Sequence, residues 1–475
     1  MAEEFTHFTS SLFCRLLFAS LLLLCVEACY KNLLPNEGIV YGDPDEMIRT
    51  PFSMEARRDG YIRIINPLQT EINYTINGGE VTSNGKQKVL IIVKAGDVVQ
   101  LYGNANTYNG ARIECSSPFY VYGNIMSLIR ADGFESIEEI PEENTFKGLF
   151  YGNSYIYNHP EKELILSATV MKPYCYSDMF FECTGLVVAP KLPATVLAKG
   201  CYQEMFSGCT NIKTAPKLPA LSLESHCYTN MFKRCASLTK APELLATTLA
   251  EACYSGMFEY CTRLTSAPEL PATTLASWCY ARMFACCESL KVAPELPATI
   301  MVKSCYGSMF YECSNLKKAP ALPALSLDVS CYMNMFAKCT RLITAPSLPA
   351  TQLAPSCYSA MFNHCIKLNE APELPATKLA PMCYADMFSY CINLEKAPEL
   401  PARELVSNCY YHMFQECSKL RYIKALFTTS PGRETTMFWV QNVAKSGVFV
   451  KSVAASWGER GDNGIPEGWT VEHVR

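Results

Sequence analysis

The sequence predicts a repeat solenoid of 26-residue units, each holding a short strand and a helix, preceded by a small all-β sandwich domain. Three observations carry this prediction. The pattern Cys-Tyr-x-x-Met-Phe-x-x-Cys occurs ten times at a fixed spacing of 26 residues, within residues 175–427. Most copies continue with leucines at set places and two prolines. The stretch before the repeats has short runs of β-branched and aromatic residues separated by turn signals.

The repeat array is the unit that folds. A period of 20–29 residues with leucines at set places indicates a solenoid of the leucine-rich-repeat type. One such unit cannot bury its own apolar face, whereas stacked units share a continuous core. Units 1 to 10 are numbered here from their first cysteines, which are Cys175, Cys201, Cys227, Cys253, Cys279, Cys305, Cys331, Cys357, Cys383 and Cys409.

Each unit is expected to contain one helical and one extended side. Leu275, Cys279 and Met283 are spaced i, i+4 and i+8, which places them on one face of a helix. Pro268 and Pro271 cannot lie inside a helix, so the other side must be extended. Because proline has no N–H for a ladder, we expect only two or three paired residues in each strand.

The repeat resembles the unit of the BspA-like leucine-rich repeat family of bacterial surface proteins. Residues 257–264 read Met-Phe-Glu-Tyr-Cys-Thr-Arg-Leu and are followed by Leu270-Pro271. This is similar to the family's Ala-Phe-x-x-Cys-x-x-Leu and Leu-Pro core, with Met in place of Ala. The segment 270–276, Leu-Pro-Ala-Thr-Thr-Leu-Ala, looks like the variant common in gut Bacteroidota. The resemblance implies a cell-surface protein, with relatives that bind host matrix proteins.

The N-terminus is predicted to direct export. Arg15 is followed by the apolar run 16–26, too short to span a bilayer and typical of a signal peptide, here residues 1–28. Val-Glu-Ala before Cys29 resembles a lipoprotein-processing site, so we expect lipidation of Cys29, with cleavage and secretion as the alternative. Residues 29–50 are expected to be a tether. The predicted location is the outer membrane or cell surface, reached through the lipid on Cys29, or the medium.

Two further segments are expected between the tether and the regular repeats. Residues 51–135 are predicted to form the β-sandwich domain, which is interpreted as a spacer or, alternatively, as a ligand-binding domain. Its predicted strands are 61–65, 71–76, 89–93, 98–102 and 118–122. Residues 136–174 are predicted to be a degenerate capping repeat, in which Asn153 takes the place of the second cysteine.

Residues 428–475 break the period and are predicted to cap the C-terminal end of the core. They contain Trp439, Trp457 and Trp469. We expect a short helix over 434–443, a strand over 447–451 and a last strand after Trp469. Bulky apolar residues at the end of an open stack are best explained as a cover for its core.

The cysteines are interpreted as buried thiols, with disulfides and a metal site as alternatives. On a helix, the two cysteines of one unit would stand roughly 12 Å apart, beyond the reach of a disulfide. Links between units remain geometrically possible. Zinc sites favour Cys-x₂₋₄-Cys clusters, and the spacing here is wider. Cys115 and Cys286 stand outside the two repeated places and are expected to be the most reactive thiols.

The sequence favours binding over catalysis. It lacks the common hydrolase, metalloprotease and phosphate-loop motifs, and no catalytic residue, metal or cofactor is expected. With 41 basic and 45 acidic residues, it has no excess of positive charge for nucleic acid. Any membrane contact is expected only through the lipid anchor at Cys29.

One position, between a proline and a leucine, forms a charged row when the units are stacked. This acidic stripe is a solvated face or, alternatively, a recognition surface, and it comprises Glu243, Glu269, Glu295, Glu373 and Glu399. The predicted function is a non-enzymatic surface adhesin or scaffold that binds a host or bacterial surface protein. The alternative is a carbohydrate-binding surface protein, whose exposed tyrosines would stack on sugars.

Overall fold

The computed structural model describes residues 43–83 and 89–475, and the predicted signal peptide and Cys29 lie outside them. This described part consists almost entirely of strands and turns. Residues 44–49, which the sequence places in the tether, form the short helix α1 (Pro44–Arg49). The Asp43 side chain caps α1 by accepting a hydrogen bond from the Asp45 amide, and Met47 is buried.

The N-terminal domain consists of two antiparallel sheets around one core. Its strands are β1 (Ser53–Ala56), β2 (Gly60–Ile65), β3 (Ile72–Ile76), β4 (Thr82–Ser83), β5 (Val89–Val93), β6 (Val98–Gly103), β7 (Arg112–Cys115) and β8 (Phe119–Asn124). One sheet has the order β8-β1-β6-β3-β4 and the other β5-β2-β7. Inward and outward residues alternate along β5, and the buried side chains of both sheets belong to one cluster. The five predicted strands are all present within a residue or two.

The solenoid is confirmed, but the predicted helix in each unit is wrong. In its place the chain forms consecutive turns whose backbone has positive φ at every fourth residue, as at Ala252, Gly256 and Tyr260. The Met257 amide donates to the Tyr254 carbonyl within the unit, as in a β-turn. Every second amide along the turns donates to the next unit instead, as Tyr254 N does to the Cys279 carbonyl. A helix would close every such bond inside its own unit.

The spacing of four nevertheless carries the predicted side chains into the core. Cys253, Tyr254, Met257, Phe258 and Cys261 are each at most 2% exposed, and their counterparts in the other units are buried as well. The tyrosines of neighbouring units stack at 5.8–6.0 Å between ring centroids, and the phenylalanines at 5.6–5.9 Å. Two continuous aromatic ladders therefore run along the solenoid.

The second cysteine of each unit has a hydrogen-bonding role. Its thiol donates to the carbonyl of the phenylalanine one unit earlier, as Cys261 Sγ does to the Phe232 carbonyl at 3.1 Å, and this contact recurs in all ten units. In the first, irregular unit the Asn153 side-chain amide donates to the Ile113 carbonyl at 2.9 Å. Asparagine can thus replace cysteine at this place because both can donate to an inner carbonyl.

The extended side of each unit pairs less than expected. From unit 1 to unit 8, the described residues form only isolated parallel bridges between neighbouring units, and none to unit 5, rather than two or three consecutive pairs. Within the described residues of the solenoid, a continuous parallel sheet forms at the C-terminal end. Its strands are β11 (Lys396–Leu400), β12 (Tyr422–Ala425), β13 (Val448–Ser452) and β14 (Thr470–Val474), in that order.

The N-terminal domain covers the first end of the solenoid. Two strands of the irregular unit, β9 (Ile156–Asn158) and β10 (Leu164–Ile165), pair in parallel with β8. The Tyr108 ring stacks on Phe146, the first member of the tyrosine ladder, with centroids 6.2 Å apart. The sheet of the N-terminal domain is therefore continuous with the first rung.

The last residues cover the other end, and the expected helix at 434–443 is wrong because turns with positive φ continue there. Trp439 ends both aromatic ladders, with its ring 6.1 Å from Tyr410 and from Phe414. Each cap tryptophan is at most 4% exposed, and each indole N–H donates to a backbone carbonyl. β13 and β14 lie close to the two expected strands.

His159 occupies the seam between β9 and β10. Its Nδ1 accepts hydrogen bonds from the Glu161 and Lys162 amides, both at 3.0 Å, and its Nε2 lies 3.6 Å from Glu55 Oε2. Burial lowers its pKa below the usual 6.5, against the opposing effect of Glu55. A proton on Nδ1 would remove the acceptor of both amides.

Lowering the pH should therefore loosen this seam. The folded state has the lower pKa, so the contribution of His159 to stability is present above about pH 6.5 and is lost as the pH falls below it. Hydrogen exchange of residues 156–165, corrected for its intrinsic pH dependence, should be faster at pH 5.5 than at 7.5. His159→Asn, which keeps an acceptor and does not titrate, should abolish the difference, whereas exposed His473→Asn should not. A difference that persists in His159→Asn would contradict the assignment.

Candidate functional site

The strand face of the solenoid carries the acidic stripe. Glu243, Glu269, Glu295, Glu373 and Glu399 are all exposed. Glu399 is paired with Lys424, whose Nζ lies 2.8 Å from Oε2. The same position holds Ala321 and Ser347 in units 6 and 7, so the stripe has two separate parts.

The series of bridges that begins at residue 188 is interrupted at two places along the array. One column of bridges joins residues 188, 214, 240 and 266, and a second stretch joins 318, 344 and 370. Among residues 43–83 and 89–475, no bridge connects residue 292 of unit 5 to either neighbour, and none connects 370 to 396. The strand face is thus open around unit 5 and between units 8 and 9.

Groove 1 lies at the first interruption. It has a volume of about 400 Å³ and runs between residues 266–271 of unit 4 and 292–297 of unit 5. Its lining is mostly proline, alanine, leucine and valine, with Ser266, Glu269 and Glu295 as the polar residues. A cleft of this size with an apolar lining and a few polar groups is typical of a binding site.

Unit 5 also exposes two large apolar side chains. Ile300 is 75% exposed and Val292 is 70% exposed, the highest values for large hydrophobic residues in the described part of the chain. Val188, at the position of Val292 in unit 1, is only 7% exposed. In most other units this position is polar and exposed even where it is bridged, as at Lys240 and Thr344, so Val292 places an apolar side chain on an exposed part of the strand face.

Groove 2 lies at the second interruption, between units 8 and 9. It has a volume of about 820 Å³, and its lining includes Glu373 and Glu399 together with Lys396 and Lys424. The Lys396 ammonium stands 5.1 Å from the centroid of the Tyr422 ring. Groove 2 is consequently more polar than groove 1 and contains its own cations.

The opposite, turn-bearing face holds a network of ion pairs. Buried Glu259 contacts Lys233 at 2.9 Å and Arg282 Nε at 3.0 Å. The Cys286 thiol donates to Glu312, which also binds Lys338. Cys286 is only 4% exposed and its pKa is raised to about 11, chiefly by burial, so the expectation of an accessible thiol there is wrong.

Burial protects the remaining cysteines as well, Cys115 less than the others. All cysteines in the described residues are free thiols, and Cys115 is the one among them that is partly exposed. Burial raises the pKa of Cys115 to about 12. No cluster of three or more metal-ligating side chains occurs in residues 43–83 and 89–475. Within that same part, no helix has the length and apolar character that a membrane crossing needs.

The sequence located the acidic stripe, and the fold brings its members together only in pairs. Glu269 and Glu295 line groove 1, Glu373 and Glu399 line groove 2, and Glu243 lines neither. Sequence reasoning missed Val292 and Ile300. Ile300 carried a weak signal, since most units have Ser, Thr, Gln or Lys at its position.

Comparison of the chain with models of protein families, with curated proteins and with solved structures found no match in any of the three. The resemblance to BspA-like repeats therefore rests on the motif in the sequence. The class of molecule that the fold defines is a repeat solenoid closed at both ends, with an open strand face.

Proposed function

We propose that this chain is a non-enzymatic binding protein that holds a partner protein on the strand face of its solenoid. Groove 1 carries the proposal, because Val292 lines this apolar cleft and, like Ile300 of the same unit, is strongly exposed. Large apolar side chains that remain exposed beside a cleft mark interaction sites. The stacked units provide a long and regular surface, as binding solenoids do.

A place at the cell surface is part of this proposal. It rests on the predicted signal peptide, on the lipidation expected at Cys29 and on the resemblance to bacterial surface proteins. The tightly packed ladders and the two covered ends suit a protein exposed to the medium. A host or bacterial surface protein is the partner that the resemblance implies.

The carbohydrate alternative has less support. Sugar binding would use free aromatic faces, yet the exposed tyrosines of the regular units contact side chains of this chain. Tyr260 has the Arg234 guanidinium 5.9 Å from its centroid, and Tyr390 stacks on His364 at 4.2 Å. Both lie in the turns and not in a strand-face groove.

The test compares matched variants of exposed apolar residues. The full chain and the double variant Val292→Ser/Ile300→Ser are assayed on purified extracellular-matrix proteins and on a glycan array. The control is Leu221→Ser, since Leu221 is 64% exposed but lies outside both grooves. Each lost apolar contact is worth about 1.5–3 kcal/mol when buried, so the double variant should bind a matrix protein at least about tenfold more weakly.

Two outcomes would contradict the proposal. Binding of glycans without binding of any protein would favour the carbohydrate alternative. Equal loss of protein binding in Leu221→Ser would show that the contact is not localised to unit 5. Thermal unfolding of the variants is the control for the fold, and exposed apolar-to-serine changes should leave it nearly unchanged.

A further inference from the structure

Groove 1 combines an apolar floor with uncompensated negative charge. Its lining contains two carboxylates, Glu269 and Glu295, and no lysine or arginine. Within residues 43–83 and 89–475, neither carboxylate has a cation within ion-pair distance. A partner that brings a cation to these side chains gains an attraction that nothing in the free protein already provides.

The backbone of the groove also selects for hydrogen-bond donors. Each wall contains two prolines, Pro268 and Pro271 in unit 4 and Pro294 and Pro297 in unit 5, and these residues offer carbonyls without amides. No backbone hydrogen bond joins the two walls in the described part of the chain. Acceptors therefore outnumber donors along the groove, which favours amide N–H, ammonium and guanidinium groups over anions.

The shape of the groove fits an extended chain. Each wall is six residues long, from 266 to 271 and from 292 to 297. At about 3.3 Å per residue, such a wall spans about 20 Å, enough to contact about six residues of an extended peptide. The apolar residues of the lining would contact alternate side chains of that peptide, and the carboxylates would contact the others.

We infer that groove 1 binds an extended polypeptide segment of the partner in which lysine or arginine alternates with aliphatic residues. This inference rests on the proposed function, because it names the chemistry of the segment that the strand face holds. Groove 2 does not share the selectivity, since Lys424 neutralises Glu399 and Lys396 adds a further positive charge. The two grooves therefore form a matched pair within one chain.

The probes are three fluorescently labelled octapeptides, measured by anisotropy with the full chain. One alternates lysine and valine, one alternates glutamate and valine, and one is octalysine. The lysine–valine peptide should bind most tightly and should weaken as salt is added, because exposed charges are screened. The variant Glu269→Gln/Glu295→Gln should weaken it about tenfold, the effect of two exposed ion pairs. The control Glu373→Gln/Glu399→Gln should leave its affinity unchanged.

Several results would overturn the inference. Equal binding of octalysine and the lysine–valine peptide would indicate a general attraction of charge, and equal loss in both glutamine variants would remove the assignment to groove 1. Sedimentation that revealed a dimer of the wild type, lost in Glu269→Gln/Glu295→Gln, would identify a second copy as the occupant.

The same measurements separate this inference from the proposed function. If Val292→Ser/Ile300→Ser abolishes protein binding while Glu269→Gln/Glu295→Gln retains it, the proposed function stands and the selectivity of groove 1 for cationic segments is wrong. If the lysine–valine peptide binds selectively to groove 1 while no protein binds the chain, the selectivity stands and the proposed function is wrong.

Discussion

Replacing Phe258 by alanine should lower the free energy of unfolding by about 3–5 kcal/mol, the usual cost of deleting a buried phenylalanine. Phe258 is fully buried, and its ring lies between those of Phe232 at 5.8 Å and Phe284 at 5.7 Å. The change leaves a cavity and interrupts the ladder in the middle of the solenoid. Because every unit is stabilised by its neighbours, the loss should appear in the unfolding of the whole array.

Tyr260→Ala is the matched control, two residues away in the same unit. Its side chain is 40% exposed and lies on the turn-bearing face, so its removal should cost less than about 1 kcal/mol. Urea unfolding of both variants, followed by tyrosine and tryptophan fluorescence and by circular dichroism, measures the difference. Equal losses in the two variants would mean that the inward face has been assigned wrongly.

The thiols should show the second large effect. In the folded protein the twenty ladder cysteines and Cys286 should react with iodoacetamide at least about 100-fold more slowly than after unfolding. Burial raises even the least shifted of them, Cys286, Cys305 and Cys409, to a pKa of about 11 from the usual 9.0. A pKa that is two units higher reduces the fraction of reactive thiolate about 100-fold at a given pH. Burial also restricts the access of the reagent to the sulfur.

Mass spectrometry of the alkylated protein measures this protection. Thr247→Cys, which introduces a thiol at an exposed position, should react at once and serves as the internal standard. After unfolding in urea without reductant, the ladder cysteines should all become reactive. If most were instead found linked between neighbouring units, the ladder would be a covalent staple, and the interpretation as buried thiols would be wrong.

Binding by groove 1 would follow from the way the solenoid is built. The core ladders hold the units in register whether or not the strand face pairs, because the turns supply hydrogen bonds between units. The strand face can therefore open at unit 5 with the core still closed. A repeat protein can therefore contain one unit that differs from the others on its strand face, as unit 5 does at Val292, while the units remain stacked.

The solenoid, its 26-residue period and the residues that face inward could be predicted from the sequence alone. These follow from the recurrence of Cys, Tyr, Met and Phe at fixed places, because a position that stays apolar through ten units has to be buried. The sequence also indicated where the array is covered, since Trp439, Trp457 and Trp469 lie where the period ends. Such statements need only periodicity and burial, which are properties of the residues themselves.

The backbone of the turns and the position of the grooves depend on contacts between units, so they could not be predicted from a single unit. Over nine residues a spacing of i, i+4 and i+8 fits both a helix of 3.6 residues per turn and turns of four residues. Hydrogen bonds between neighbouring units favour the turns over the helix. The sequence of a single unit does not show which of the two backbones forms. A signal was present in the array, because the positions with positive φ hold no Val, Ile, Thr or Pro in any of the ten units. The interruption of the bridges at Val292 had no such signal, because whether neighbouring units pair depends on the packing of the whole stack.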